Sequence, residues 1–436
     1  MLIEFTVGNF RSFRDPQTLS LVAAPIKSKD PALDENSVIR MADNPDLLTS
    51  AAIYGANASG KSNLIQALAF MKHFVINSPK ETKAAGGINV EPFRLHTSTV
   101  GQPSFFEIVF IEDGKRYRYG FEVTKERVMS EWLYFVPSTR EARLFEREGD
   151  DIIVGSYFKE GRDLEQHTRP NALFLSVVAQ FNGKQAQKLV AWFRRLGIIS
   201  GVEDMGMMPF TLMQLMEGKY SQAIRDLICR FDLGIGDVQV EKRAVSSKPN
   251  PPDEMPEAIR QAFLTIMNAS DAEGFSIHTH HTQYDHEGNP VGQELFDLDE
   301  HESEGTQKLF AMSGPLLNML QEGDVLVVDE LDARLHPLLT REIISLFNNK
   351  TTNPNSAQLI FNTQDTNLLD NRLFRRDQIW FVEKDQQGAS HLYSLAEFKV
   401  RNDKDYERGY IQGQYGAVPY LSHIQTIVSG GYAEKA

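Results

Sequence analysis

The sequence holds one cysteine, Cys229, and three tryptophans in 436 residues. A single cysteine forms neither an internal disulfide nor a cysteine-based zinc site. Its scarcity fits a reducing, cytoplasmic setting. No apolar stretch reaches the roughly 18 residues that a transmembrane helix needs, so none is expected. The opening Met1-Leu2-Ile3-Glu4-Phe5 lacks the basic-then-apolar plan of a secretory leader. A basic excess is missing too: 45 Lys and Arg stand against 59 Asp and Glu, a net charge of −14. That balance disfavours whole-surface binding of nucleic acid and leaves room only for a local basic patch. Internal repeats and long low-complexity tracts are also lacking. What remains is 41% hydrophobic and 24% charged, an ordinary globular composition. The length suits two or three domain-sized units, or one large domain with an insertion.

Hydrophobic periodicity divides the chain. Residues 1–24 read as two short strands around Gly8-Asn9-Phe10-Arg11-Ser12-Phe13, and residues 25–47, polar and proline-punctuated, read as a loop. The run Ala51-Ala52-Ile53-Tyr54 enters a glycine-rich turn, after which Leu64, Leu68, Met71 and Val75 recur at helical spacing. Over 103–160 the period becomes two. Phe106, Ile108 and Phe110 face Tyr117, Tyr119, Phe121 and Val123 across Asp113-Gly114, a hairpin signal. Residues 170–232 read as mainly helical, 246–256 as a proline-rich loop, 257–268 as helix, and 274–298 as a hairpin around Glu287-Gly288-Asn289. Residues 303–395 alternate helix and strand, as an α/β sheet requires.

Gly55-Ala56-Asn57-Ala58-Ser59-Gly60-Lys61-Ser62 fits the phosphate-loop pattern in full, between a strand and a helix. Glycines let backbone N–H groups wrap phosphates, and the helix N-terminus favours the anion. Lys61 reaches the β- and γ-phosphates, and the Ser62 hydroxyl ligates Mg²⁺. Gly55, Asn57, Ala58, Ser59, Gly60, Lys61 and Ser62, with Asn63 just beyond, are the candidate nucleotide-binding residues. A second apolar run, Asp324-Val325-Leu326-Val327-Val328, ends in Asp329-Glu330. Asp329 suits a Mg²⁺ ligand, and Glu330 a general base for the attacking water. The long separation of Lys61 from Asp329 places a large segment between the two halves of one site.

With Asn9-Phe10-Arg11-Ser12-Phe13, Ser303-Glu304-Gly305-Thr306-Gln307 and Asp329-Glu330-Leu331-Asp332, the chain resembles ABC-type ATPases of the SMC, RecF and OLD kind. Glu302–Thr306, Leu335-His336-Pro337, Asp377-Gln378-Ile379-Trp380 and Gly413-Gln414-Tyr415-Gly416-Ala417-Val418-Pro419 narrow the resemblance to RloA-type ATPases, those labelled AAA15. The resemblance implies two heads sandwiching two ATP molecules. Ser303 and Gly305 would contact the γ-phosphate of the partner's nucleotide, and Asp332 would communicate across the dimer. Asn9 and Arg11 would approach the adenosine or phosphates. Gln364 stands where related ATPases usually carry a histidine that senses the γ-phosphate. Glutamine orients water without taking up charge, so slow basal hydrolysis is expected.

Other groupings compete with plainer readings. His336 either caps a helix or touches ligand. His278 and His280 share a strand face while His281 points away, which weighs against a metal cluster. Tyr406, Tyr410, Tyr415 and Tyr420 with Arg401, Lys404 and Arg408 form either a packed C-terminal segment or a binding surface. No elbow motif supports a Ser-His-Asp triad.

The expectation is an α/β fold: an ABC-type P-loop ATPase head with antiparallel β-hairpins and a helical insertion. The head is split between 1–165 and 273–436, around a mainly helical 166–272. The expected ligands are ATP and Mg²⁺. RloA-type ATPases imply a sensor or scaffold in bacterial anti-phage defence, acting with a separate effector, often a TOPRIM-like nuclease. A RecF/SMC-like DNA-repair ATPase binding duplex DNA and a non-catalytic nucleotide-gated scaffold are the alternatives.

Overall fold

The computed structural model describes residues 1–81, 87–201, 207–217, 220–231, 234–244, 273–401 and 404–419. The expected loop at 246–256, the expected helix at 257–268 and Tyr420 lie outside them. The chain divides into two compact units. The first comprises Met1–Val202, Met319–Ala333 and Pro337–Ala436; the second comprises Glu203–Asn318 and Arg334–His336.

Two sheets organise the first unit. The six-stranded sheet runs Gly197–Ser200, Val325–Asp329, Gln358–Asn362, Ser50–Tyr54, Ile379–Lys384 and Ser390–Ser394. Its first five strands are parallel and the last is an antiparallel edge. Ser50–Tyr54 is buried at every position, which explains its unbroken apolar run: a central parallel strand is covered on both faces. The seven-stranded antiparallel sheet runs Asp151–Val154, Ala142–Glu148, Val128–Phe135, Lys115–Val123, Ser104–Glu112, Leu2–Gly8 and Gln17–Ser20. Its Ser104–Glu112 and Lys115–Val123 hairpin turns at Asp113 (φ 47°) and Gly114 (φ 72°), the left-handed pair that the Asp-Gly dipeptide favours.

The helix Lys61–Glu81 buries Leu64, Ile65, Leu68, Met71, Phe74 and Val75. These side chains share one core with Ala51, Ile53, Val327 and Ile360 of the parallel sheet and with Phe106, Ile108, Phe110 and Phe121 of the antiparallel sheet. An apolar residue every third or fourth position thus becomes one continuous stripe.

A buried ion pair joins two strands of the antiparallel sheet. Glu131 and Arg147 face each other on adjacent strands, 3.9 Å apart and almost wholly excluded from solvent. Glu131 accepts the Tyr119 hydroxyl proton and the N–H groups of Phe174 and Leu175, while Arg147 donates to the carbonyls of Ala172 and Gly149. Each charge therefore has several partners, as burial demands.

Two stretches depart from the simple reading. Residues 25–47 contain the helix Pro31–Ser37, capped by Asp30 through the Ala32 N–H, with Pro31 in the first turn. Proline there is preorganised for a helix rather than disruptive. Of the segment 166–272, the helices Phe174–Gln180 and Lys184–Arg195 and the strand Gly197–Ser200 belong to the first unit. That strand pairs with Val325–Asp329.

The second unit holds the helices Met208–Glu217 and Ser221–Arg230 and a three-stranded antiparallel sheet, Ile235–Ala244, Glu273–Tyr284 and Pro290–Asp297. Leu215, Ile224, Ile228, Val238, Ile277 and Phe310 form its core. Among the described residues no helix is long and apolar enough to cross a membrane.

Candidate functional site

Three loops leave the carboxyl ends of adjacent parallel strands: Gly55–Ser62 after Tyr54, Asp329-Glu330, and Thr363-Gln364 after Asn362. That edge is where open α/β sheets bind ligands. Residues far apart in the chain meet there because strand register aligns their ends. Asn362 stands beside Ile53 on one side and follows Phe361, the partner of Val328, on the other.

Lys61 is buried, and its Nζ donates to the carbonyls of Gly55 at 2.8 Å and Ala56 at 3.2 Å. Burial pushes the ammonium below its ordinary pKa, against the pull of Glu330, Asp332 and Asp329. The lysine and the three carboxylates thus share one electrostatic neighbourhood. Ala58 (φ 62°) and Gly60 (φ 116°) bend the loop through left-handed backbone. The Ser59 hydroxyl is buried without a hydrogen-bond partner.

The carboxylate of Asp329 accepts a hydrogen bond from the Asn362 amide, whose oxygen accepts the Glu330 N–H. Glu330 has φ 58°, a conformation that L-residues adopt at a cost. Gly201 closes on it from the neighbouring strand end. Its N–H donates to the Asp329 carbonyl at 2.6 Å, and a Cβ there would lie 2.0 Å from the Glu330 carbonyl oxygen. Gln364 is exposed, with its N–H 3.4 Å from the Asp332 carboxylate. Neither Asn362 nor Gly201 carries a local motif that marks it. The nearest signal for Asn362 is its place at the end of an apolar run.

The hydroxyl of Ser62 and the carboxylate of Asp329 are hard oxygen donors, and Mg²⁺ takes a few such ligands together with phosphate oxygens. The donor set at this edge therefore fits Mg²⁺.

Several expected residues have partners of their own. Asn9 (φ 46°) commits its amide N–H groups to the carbonyls of Thr99, Gln102 and Pro103, and its oxygen to the Phe93 N–H. It secures the 93–103 loop, because a buried amide must satisfy its donors. Asn63 turns its amide onto Ser12 at 2.7 Å. Arg11 pairs with Glu91 at 3.4 Å and lines a cavity of about 620 Å³ with Phe10, Gln66, Phe70 and His73. Ser303 and Gly305 lie in the second unit. The Ser303 hydroxyl accepts the Thr306 N–H, the geometry of a helix cap. A Cβ on Gly305 would lie 2.8 Å from the Arg334 carbonyl oxygen. His281 pairs with Glu302 at 2.7 Å, and His280 contacts Gln239 and Gln293. Tyr406, Tyr410 and Tyr415 are buried, and Tyr410 stacks on Phe381.

No curated protein matches the sequence. Among solved structures, the SmcHead bound to the C-winged helix domain of ScpA is 13% identical, with 90% of this chain and 97% of that chain covered, at a TM-score of 0.44. The SMC head domain from Thermotoga maritima is 16% identical, covering 90% and 98%, at 0.39. An Smc head domain with an extended coiled coil, bound to the C-terminal domain of ScpA from Pyrococcus furiosus, is 13% identical, covering 90% and 96%, at 0.36. The family described as "AAA domain, putative AbiEii toxin, Type IV TA system" matches residues 50–370. That span carries the phosphate loop, the Asp329-Glu330 strand end and Gln364, and the chain belongs to this family of AAA ATPase domains.

Proposed function

We propose that the chain is an ATP-binding, slowly hydrolysing ATPase whose heads pair around ATP. We further propose that it is the sensor or scaffold subunit of an RloA-type anti-phage system with a separate effector, a TOPRIM-like nuclease. The observation that carries the ATPase reading is the meeting of Lys61, Asp329, Glu330 and Gln364 on one sheet edge. Lys61 exchanges the Gly55 and Ala56 carbonyls for β- and γ-phosphate oxygens. Ser62 and Asp329 would hold Mg²⁺, which when bound neutralises charge on the phosphates. Glu330 takes the proton of the attacking water, and Gln364 orients that water without changing charge. Arg11 and its cavity offer a place for the base. Ser303 and Gly305 of one head, with Asp332, serve the nucleotide of the other.

The net charge of −14 favours a protein partner over duplex DNA. The toxin–antitoxin setting named in the family's description also supports a second protein. Turnover and sedimentation test the reading. Lys61→Ala should abolish Mg-ATP binding. Glu330→Gln should bind Mg-ATP, lose hydrolysis and sediment as a dimer. A Glu330→Gln chain that stays monomeric with Mg-ATP overturns the paired heads. Basal turnover above roughly 10 s⁻¹, a middling enzyme rate, overturns slow hydrolysis. Co-purification of a neighbouring gene product supports the effector; defence needing no second protein removes it.

A further inference from the structure

The phosphate loop is held from outside by two serines that no motif assigns to it. Ser390 begins the antiparallel edge strand, Ser12 lies in the N-terminal turn, and both are buried. The Ser390 Oγ lies 2.5 Å from the Ser59 carbonyl oxygen and 2.8 Å from the Ser12 Oγ, which lies 2.7 Å from the Asn63 Nδ2. The backbone joins them as well, through the Ser390 N–H and the Ser12 carbonyl at 2.7 Å.

Elementary hydrogen-bond chemistry makes Ser390 the donor of this cluster. A carbonyl only accepts, so the Ser390 hydroxyl is the donor to Ser59, and the shorter of its two contacts is that one. The Ser12 oxygen accepts from Asn63, whose amide nitrogen only donates, and from the Ser390 hydroxyl. Ser390 thus ties the Ser59 carbonyl to the Ser12 hydroxyl, which Asn63 in turn holds.

The Ser59 acceptor matters most. The Ser59 carbonyl and the Gly60 N–H belong to one planar trans peptide and point in opposite directions. Drawing the carbonyl into the serine pair turns the Gly60 N–H away from it, toward the concave side of the loop. Gly60 also has φ 116°, and a Cβ there would lie 2.3 Å from the Ser390 Oγ and 2.7 Å from the Ser12 Oγ. The serines therefore leave no room for a side chain at position 60, where the backbone also favours glycine.

We infer that Ser12 and Ser390 are positioning residues that aim the Gly60 N–H at the β-phosphate of a bound nucleoside di- or triphosphate. The inference rests on the ATPase reading and adds a latch that joins the N-terminal turn and the antiparallel edge strand to the phosphate loop. The preset N–H holds substrate and transition state alike, so its loss falls on binding and KM rather than on kcat.

The experiment uses the full chain, with Mg-ADP titrated calorimetrically and Mg-ATP turnover followed in parallel. Ser390→Ala should weaken Mg-ADP and raise KM for ATP by about tenfold, with kcat within about twofold. Ser12→Ala should weaken both by about threefold. The double variant should be no weaker than Ser390→Ala, because both substitutions cut one chain. Circular dichroism and melting temperature check folding; if Ser390→Ala does not fold, Ser12→Ala decides by the same measurements. Single variants that bind Mg-ADP as the parent does, fully additive losses, or a loss confined to kcat overturn the latch while the ATPase reading stands. A parent chain that binds neither Mg-ADP nor Mg-ATP overturns both.

Discussion

Asn362 donates its side-chain N–H to the carboxylate of Asp329 across adjoining parallel strands. The same amide accepts the backbone N–H of Glu330. One fully buried side chain thus fixes both the carboxylate proposed for Mg²⁺ and the peptide that launches the proposed base. Water cannot replace it there.

Asn362→Ala should therefore lower turnover at saturating ATP by about tenfold or more, since small misplacements of reacting groups are costly. It should also cost about 1–3 kcal/mol of stability by leaving the Glu330 N–H unpaired. Asn362→Asp removes the donor and sets a second carboxylate against Asp329, so it should be at least as damaging. Steady-state kinetics and urea unfolding measure both effects.

Gly201 tests whether the placement of Glu330 matters apart from its chemistry. A Cβ 2.0 Å from the Glu330 carbonyl oxygen forces the strand ends apart. Gly201→Ala should reduce kcat by about tenfold while Mg-ADP affinity, set by the phosphate loop, changes little. Equal losses in both would show that the strain spreads to the loop.

The Glu131–Arg147 pair gives a stability prediction. Glu131→Leu leaves Arg147 buried without its counter-charge and should cost about 3–5 kcal/mol. Glu131→Leu with Arg147→Met removes both charges and should recover most of that loss. Chemical denaturation of the two single variants and the double variant provides the cycle.

Asp370 gives a pH signature. Burial alone would raise its carboxyl, but hydrogen bonds from Arg372 and Arg341 outweigh burial and bring it to about 2. A folded pKa below the ordinary carboxylate value of 3.8 means that stability is gained above that value and lost as pH falls toward about 2. Asp370→Asn should cost roughly 1 kcal/mol near neutrality, the full shift being discounted because Arg372 is exposed. The difference from the parent should shrink between about pH 4 and pH 2. A difference that stays constant through that window would assign the effect to shape rather than charge.

Much of the candidate site was legible because its chemistry is local. The phosphate loop needs glycine, lysine and serine at short fixed intervals, and Asp329-Glu330 closes an apolar run that ends a buried strand. The Asp113-Gly114 hairpin and the stripe of Leu64, Leu68, Met71 and Val75 follow from the two periods of backbone geometry. Residues 25–47 were harder to read, because proline opens a helix as readily as it breaks one.

By itself, then, the sequence determined the phosphate loop, the acid pair and the alternation of strand and helix, all matters of neighbouring residues. Only tertiary structure decided that Asn362 clamps the acids, that Ser390 reaches Ser59, and that Asn9 and Asn63 turn inward. These roles depend on which strand ends lie side by side. That order follows from packing two sheets about one helix, a property of the whole folded unit that no short window of residues contains.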